Sequence, residues 1–221
     1  MKKTFLLTFF VVLVIGTQAQ WKVGGQFGAT YNIHNRGNEY AYDMRYAAFF
    51  GLNGGVTGQY NFNDWFGLRV DASYMGRNWI MYRGGVLQGL VEQWKNNYLM
   101  MPVMANFSLG GERVRGYANF GLYGGYWLNS KISGNELELL NETYHYENLP
   151  YEFNKISDNR FDMGYVYGIG IQWRIGKHIE LHDDVMCFYS VCSTKKDYQA
   201  YFDNPRYNTT IVNQIGVSYI F

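Results

Sequence analysis

The segment Phe161 to Ile175, FDMGYVYGIGIQWRI, sorts its residues into two sets at alternate positions. Phe161, Met163, Tyr165, Tyr167, Ile169, Ile171, Trp173 and Ile175 form an unbroken apolar set. Asp162, Gly164, Val166, Gly168, Gly170, Gln172 and Arg174 form a small or polar one. Side chains of a β-strand point alternately to opposite faces, so the pattern is that of a strand with one apolar side. A helix would scatter the same aromatics around its whole circumference. The run outlasts a globular strand of roughly 5 to 6 residues and suits a tilted strand crossing a bilayer, which takes about 9 to 11.

The same alternation recurs along the chain. Trp21, Val23, Phe27, Ala29 and Tyr31 oppose Lys22, Gln26 and Thr30 in a first strand. Ala48, Phe50, Leu52, Val56, Tyr60 and Phe62 oppose Asn53, Thr57, Gln59 and Asn61 in a second. Phe66, Leu68, Val70, Ala72 and Tyr74 oppose Arg69, Asp71, Ser73 and Arg77 in a third. A fourth runs from Tyr98 to Leu109, where Pro102 predicts a bulge or local break because proline donates nothing to a strand ladder. A fifth holds Ala118, Phe120, Leu122, Tyr126 and Leu128 against Asn119, Tyr123 and Trp127. The opening segment is the sixth. The seventh, His178 to Val191, sets His178, Glu180, His182 and Asp184 against Ile179, Leu181, Val185 and Tyr189, with Asp183 breaking its apolar face. The eighth carries Ile211, Ile215, Val217, Tyr219 and Phe221.

Connections of two kinds join these strands. Asn63-Asp64, Gly110 to Arg113 and Gly176-Lys177 are short; Asn32 to Arg45, Arg83 to Asn97, Asn129 to Arg160 and Ser193 to Tyr207 are long and polar. Long and short alternate, which predicts an all-β, eight-stranded antiparallel up-and-down transmembrane β-barrel with periplasmic turns, extracellular loops and a lipid-facing apolar band. A secreted lipocalin-like barrel or β-sandwich would instead bury its apolar face. Here the polar face carries arginines, carboxylates and histidines, which a membrane barrel turns inward. Trp21, Tyr165, Trp173 and Tyr219 are the expected aromatic girdle.

Composition changes the picture mainly at the beginning of the chain. Lys2 and Lys3, the apolar run Phe5 to Ile15 and Gly16-Thr17-Gln18-Ala19 describe a signal peptide, residues 1–19, cut between Ala19 and Gln20. The apolar run falls short of the ~20 residues of a spanning helix. Residues 20–221 are left as one barrel domain, rich in Gly (26), Tyr (21) and Phe (15) and holding only 3 prolines. Taking Lys2 and Lys3 from the 19 basic residues leaves 17 against 18 acidic ones, a net charge of −1. That balance gives no electrostatic footprint for nucleic acid. Cys187 and Cys192, if on one strand, face opposite ways and form no disulfide.

Particular residues resemble a known family. Asn63-Asp64-Trp65-Phe66-Gly67-Leu68-Arg69-Val70-Asp71-Ala72-Ser73-Tyr74-Met75-Gly76 looks like the turn and third strand of the PorT-like small outer-membrane β-barrels of Bacteroidetes. Tyr98-Leu99-Met100-Met101-Pro102 is similar to that family's tyrosine-leucine-x-x-proline segment, and Tyr117 to Leu128 and Phe161 to Gly170 resemble its next two strands. Met100 stands where an acidic residue is common, and Asp71 where glutamate is. The resemblance implies the scaffold, the bacterial outer membrane and outer-membrane lipid around it. Tyr219 and Phe221 resemble the C-terminal signal read by the barrel-assembly machinery.

Candidate chemistry is sparse. His178, Glu180, His182 and Asp184 recur at every second residue, a spacing that can converge on a Zn²⁺ wanting about four ligands. The alternative is a polar barrel interior in which Arg69, Asp71, Arg77, Arg174, Glu180, His182 and Asp184 form one network. That reading is preferred, because an eight-stranded barrel has room for little but side chains and buried charges need partners. No metal, cofactor or catalytic residue is therefore assigned. Gly-x-Ser-x-Gly, Cys-x-x-Cys and His-Glu-x-x-His motifs are absent from the sequence. A lipid-modifying enzyme would need a nucleophile and base at the lipid face, and the alternation sends His182 inward. A narrow pore needs an empty lumen, whereas Tyr123, Trp127 and Arg174 can fill the space left by the glycines at 164, 168 and 170. The remaining expectation is a non-enzymatic structural, adhesion or secretion-assembly component that meets a protein partner through its Tyr- and Asn-rich extracellular loops.

Overall fold

The apolar and polar faces read from the sequence become, in the computed structural model, the outside and inside of one closed ring. Residues 20–36, 44–85, 89–137, 143–196 and 205–221 are described. Residues 1–19, expected to be a signal peptide, lie outside them, as do the tips of the four long connections. The described residues form ten strands: β1 Gln20–Arg36, β2 Met44–Asn61, β3 Phe66–Gly76, β4 Trp79–Arg83, β5 Val91–Gly110, β6 Val114–Leu137, β7 Thr143–Pro150, β8 Phe161–Ile175, β9 Ile179–Ser190 and β10 Arg206–Ile220.

Eight of these make the barrel. Each pairs antiparallel with its neighbours in the order β1, β2, β3, β5, β6, β8, β9, β10, and β10 returns to β1 with Lys22 opposite Ile220 and Arg36 opposite Arg206. β4 continues β3 past an interruption at Arg77 and Asn78, still between β2 and β5. β7 hairpins onto the far end of β6.

Polarity is inverted relative to a water-soluble protein. Ile169, Ile215 and Leu122 are 70%, 63% and 60% exposed, whereas Arg69, Asp71 and Asp184 are 3% or less. Moving such apolar side chains from water to lipid is worth about 1.5–3 kcal/mol each, so this surface is stable only in a bilayer. From Trp21 to Tyr31 the outward face of β1 climbs ten residues, about 33 Å along the strand and ~24 Å along the axis at the usual tilt of about 45°. That is the height of an outer-membrane apolar band.

Several local expectations are corrected. The first two strands run well beyond the apolar belt, so the loop placed from Asn32 to Arg45 shrinks to the connection between Arg36 and Met44. The stretch from Arg83 to Asn97 is mostly strand, because β5 starts at Val91. Asn129 to Arg160, read as a long polar connection, holds the last third of β6, the strand β7 and a segment whose Tyr151 and Phe153 pack on the core. Pro102 keeps its place opposite Tyr123 without a bulge. The break falls on its other side, where pairing of β3 with β5 lapses between Val70–Val103 and Ser73–Met100 and then resumes in the same register.

The short turns have local causes. Asn63 Oδ1 accepts the backbone N–H groups of Trp65 (3.1 Å) and Phe66 (2.7 Å), closing an Asx-type turn before β3. Gly176, at φ 73°, supplies the left-handed residue between β8 and β9. These turns mark the periplasmic end by the usual orientation of outer-membrane barrels.

Candidate functional site

The lumen is organised around Arg69, which β3 points inward beside Asp71 two residues on. Its Nε donates to Asp71 Oδ1 (3.0 Å), Nη1 to Asp184 Oδ2 (2.8 Å) and Nη2 to Gln26 Oε1 (2.8 Å). Gln26 Nε2 returns a bond to Asp71 Oδ2 (3.1 Å), and the Tyr117 hydroxyl donates to Asp184 Oδ2 (2.7 Å). One guanidinium thus holds two carboxylates, and neutral donors add bonds of their own. Buried charges are tolerated in this form, paired and hydrogen-bonded.

Two further pairs lie above and below. Near the periplasmic end Lys22 Nζ bonds both oxygens of Glu180, at 2.7 and 2.9 Å. Toward the extracellular end Arg77, fully buried, pairs with Asp162, which also accepts from Ser190 and from Tyr123 (3.2 Å). The rings of Tyr98 and Tyr123 stand 5.2 and 5.3 Å from the Arg77 guanidinium carbon, a cation–π arrangement with two rings. Met75, Met100, Met104, Val166, Met186, Phe188 and Val212 form one buried cluster with Tyr98 and Tyr123 inside the barrel.

The residues assigned to one network therefore separate. Arg69, Asp71 and Asp184 meet; Arg77 meets Asp162; Glu180 meets Lys22. Arg174 lines a periplasmic cavity of about 930 Å³ together with Lys22, Arg113, Arg115 and Gln172. His182 points inward against Gly216, and its Nε2 has no hydrogen-bond partner among the described residues. His178 leaves the face assigned to it: it sits in the turn, exposed, with its ring stacked on Tyr219 at 5.4 Å. Among the described residues no three His, Cys, Asp or Glu side chains are grouped as a metal site. Lys22, Asp162, Tyr117 and Tyr123 are partners that the expected network did not include, although all four fall on inward positions of the alternation. The space beside Gly170 is taken by Tyr117: a Cβ there would lie 2.6 Å from its hydroxyl and 2.7 Å from Asp184 Cβ.

Outside, Trp21, Trp173 and Tyr219 lie near the periplasmic end, while Tyr165 lies toward the other end of the belt, paired with Tyr189. Trp21 packs on Tyr60 (4.8 Å) and Tyr219 on Phe221 (5.0 Å). The Phe221 N–H donates to Trp21 O (3.0 Å), so the residues read as an assembly signal also close the seam. Cys187 and Cys192 are free thiols.

The extracellular mouth is aromatic. His34, Trp79 and Trp94 stack in sequence at 4.8 and 4.9 Å, Tyr151 meets Trp94 edge-on at 5.0 Å, and Trp127 stacks on Tyr98 at 5.7 Å. They surround a cavity of about 40 Å³ that shares no residue with the periplasmic one. Over it a clamp joins two segments: Asp158 pairs with Lys195 and accepts from the Tyr151 hydroxyl (2.9 Å) and Asn154 N–H (2.8 Å). Burial pushes the Asp158 carboxyl up, but bonds from Lys195, Asn154 and Tyr151 outweigh it and hold the group below its ordinary value. Burial and the bond to Asp158 raise the Tyr151 phenol.

Comparison with known proteins agrees with this architecture. Residues 17–186 match the model of the outer membrane protein beta-barrel domain family. Among solved structures the chain is similar to the outer membrane protein OprG from Pseudomonas aeruginosa, with 14% identity and a TM-score of 0.53 over 93% of this chain and 97% of that one. It is also similar to a major outer membrane protein from Thermus thermophilus, with 13% identity and a TM-score of 0.51 over 92% of this chain and 100% of that one. No curated protein matches the chain in sequence.

Proposed function

Since the chain belongs to the outer membrane protein beta-barrel domain family and is a small β-barrel of the bacterial outer membrane, we propose that it acts as a non-enzymatic binding component at the cell surface. The supporting observation is the contrast between its interior and its extracellular end. Inside, each of the buried carboxylates Asp71, Asp162, Glu180 and Asp184 is held by a basic side chain and methionines are buried among them, an arrangement suited to rigidity and unsuited to conduction. At the extracellular end, strands project past the belt and carry the aromatic mouth, the clamp and the exposed β7 hairpin, where Tyr144 and Leu149 are more than half exposed. Aromatic and asparagine-rich surfaces of this kind suit adaptable contacts with a protein partner.

Structural support, adhesion and secretion assembly are the roles proposed for this surface, and the PorT-like resemblance bears on the scaffold alone. Tyr219 and Phe221 are proposed to engage the barrel-assembly machinery. A lipid-modifying activity lacks support, since His182 faces the lumen and the outward Asp183 is bonded to Asn213 rather than to a nucleophile or base. The test is photo-crosslinking in intact cells from Tyr144 and Leu149. A discrete protein adduct, lost when the hairpin is truncated, supports the reading. Only lipid adducts, together with altered lipid A mass on overexpression, would overturn it.

A further inference from the structure

Asp183 is an acidic side chain on the lipid face of β9. The two ordinary excuses for such a residue do not apply. No bulge turns it away, because β9 pairs without a register shift with β8 from Ser190 to Ile179 and with β10 from Tyr189 to Ile179. Nor does it sit at the membrane–water boundary. On its own strand it lies four residues from Ile179 at the periplasmic end and six from Tyr189, inside the belt and one outward position above Leu181, the partner of the girdle residue Trp173. A carboxyl group facing hydrocarbon there is costly, and residues of this kind usually have a polar partner and a task.

One partner is in the same chain. Asn213, outward-facing on β10, donates its Nδ2 to Asp183 Oδ1 at 3.2 Å. That bond uses one of the two amide hydrogens and part of the carboxyl's accepting capacity. An N–H and carboxyl oxygens remain directed at lipid, side by side. Next to them is a groove of about 580 Å³ bounded by Phe27, Trp173, Leu181, Ile215 and Val217. Its depth comes from Gly25, where a Cβ would meet nothing nearer than Gly55 O at 3.9 Å.

We propose that this face is the contact between two copies of the chain in the membrane. Copies inserted with the same orientation are related by a two-fold axis along the membrane normal, and such an axis brings a patch against itself at equal depth. With the axis passing between Asp183 and Asn213, each asparagine's second N–H meets the partner copy's carboxyl. The four side chains then form a closed ring, with two hydrogen bonds inside the copies and two between them. The donor and acceptor left over within one chain are complementary to those of an identical chain, and this selects a second copy over a lipid. The Gly25 groove beside the axis receives the apolar ridge of the opposing barrel.

The test uses the full-length protein in native membranes and in mild detergent. In a Cys187→Ser, Cys192→Ser background, Ile215→Cys, which neighbours Asp183 on the exposed face, should form a disulfide-linked dimer on oxidation. Sedimentation of the wild type should give a dimer of the protein mass. Asp183→Leu and Asn213→Leu should each weaken association by roughly tenfold, the order expected for two lost hydrogen bonds in lipid. Asp183→Asn, which still bonds, should retain the dimer. Gly25→Leu fills the groove where the fold has room for it, so it should abolish association while leaving a heat-modifiable barrel. A monomeric wild type, with no cross-link formed by the Ile215→Cys variant, would overturn the proposal. So would native mass spectrometry showing an acyl chain bound at this groove and released by Gly25→Leu, or dimers that ignore Asp183→Leu, Asn213→Leu and Gly25→Leu alike.

Discussion

Replacing Arg69 with methionine keeps most of the side-chain volume and removes the charge that holds the lower lumen together. Three hydrogen bonds go with it, to Asp71, Asp184 and Gln26, and two carboxylates are left in the lumen without their cation. Bonds to charged groups contribute about 1.5–3 kcal/mol each, yet the net worth of a buried ion pair is smaller because forming it strips water from both ions. The relevant quantity is the cost of leaving the partners stranded, about 3–5 kcal/mol for one broken buried pair. With two carboxylates stranded and only Tyr117 and Gln26 to serve them, the loss should fall in the upper part of that range. The assay is urea unfolding of the barrel in phospholipid vesicles, followed by tryptophan fluorescence. Adding Asp71→Asn and Asp184→Asn to Arg69→Met should recover a large part of the loss, because the stranded charges are then gone. A single-variant loss below about 1 kcal/mol, or no recovery in the triple variant, would falsify the claim that Arg69 is the electrostatic centre of the lumen.

Gly170→Val should destabilise by about 1–3 kcal/mol through overpacking against Tyr117 and Asp184. Gly58→Ala, where the new Cβ finds only Val70 O at 3.9 Å, should stay within about 0.5 kcal/mol in the same urea titration. The mouth clamp should respond to acid. Because Asp158 is held below its unfolded value, its contribution is complete above that value and disappears as pH falls through the lowered folded one. Protease cleavage in the exposed stretch around Lys155 and Ile156 should therefore be slow at neutral pH and fast in strong acid, whereas Asp158→Asn should be cleaved rapidly at neutral pH. Equal cleavage of wild type and variant at neutral pH would show that the clamp does not hold this segment.

How far the sequence carries the structure differs from one feature to the next. Period-2 alternation fixes which side chains face lipid, and it does so reliably because slipping by one residue would turn Arg69 and Asp184 into the bilayer. Strand ends are less legible. The amphipathic signal stops where lipid stops, but pairing continues into water through Ser130, Lys131 and Ser133 of β6, a polar stretch that no longer alternates. His178 follows the alternation in sequence and leaves it in space because the β8–β9 turn takes it up. Inside the barrel the inward set was legible and the partners were not. Lys22 and Glu180 are 158 residues apart, and their meeting depends on strand stagger around the closed ring. The same stagger gives Arg77 to Asp162 and sends Arg174 to the periplasmic cavity. Stagger is a property of the whole ring, so no single segment announces it.

A filled barrel whose working surface is its outside should pass no ions. Single-channel recording in planar bilayers addresses this directly. The purified protein, shown to be inserted by its heat-modifiable mobility, should give no discrete conductance steps, since Met100, Met104, Met186 and the Arg77–Asp162 pair occupy the lumen between the two mouths. Reproducible steps that change when Met104 is enlarged or Arg77 is removed would contradict it, and would make the lumen the functional site.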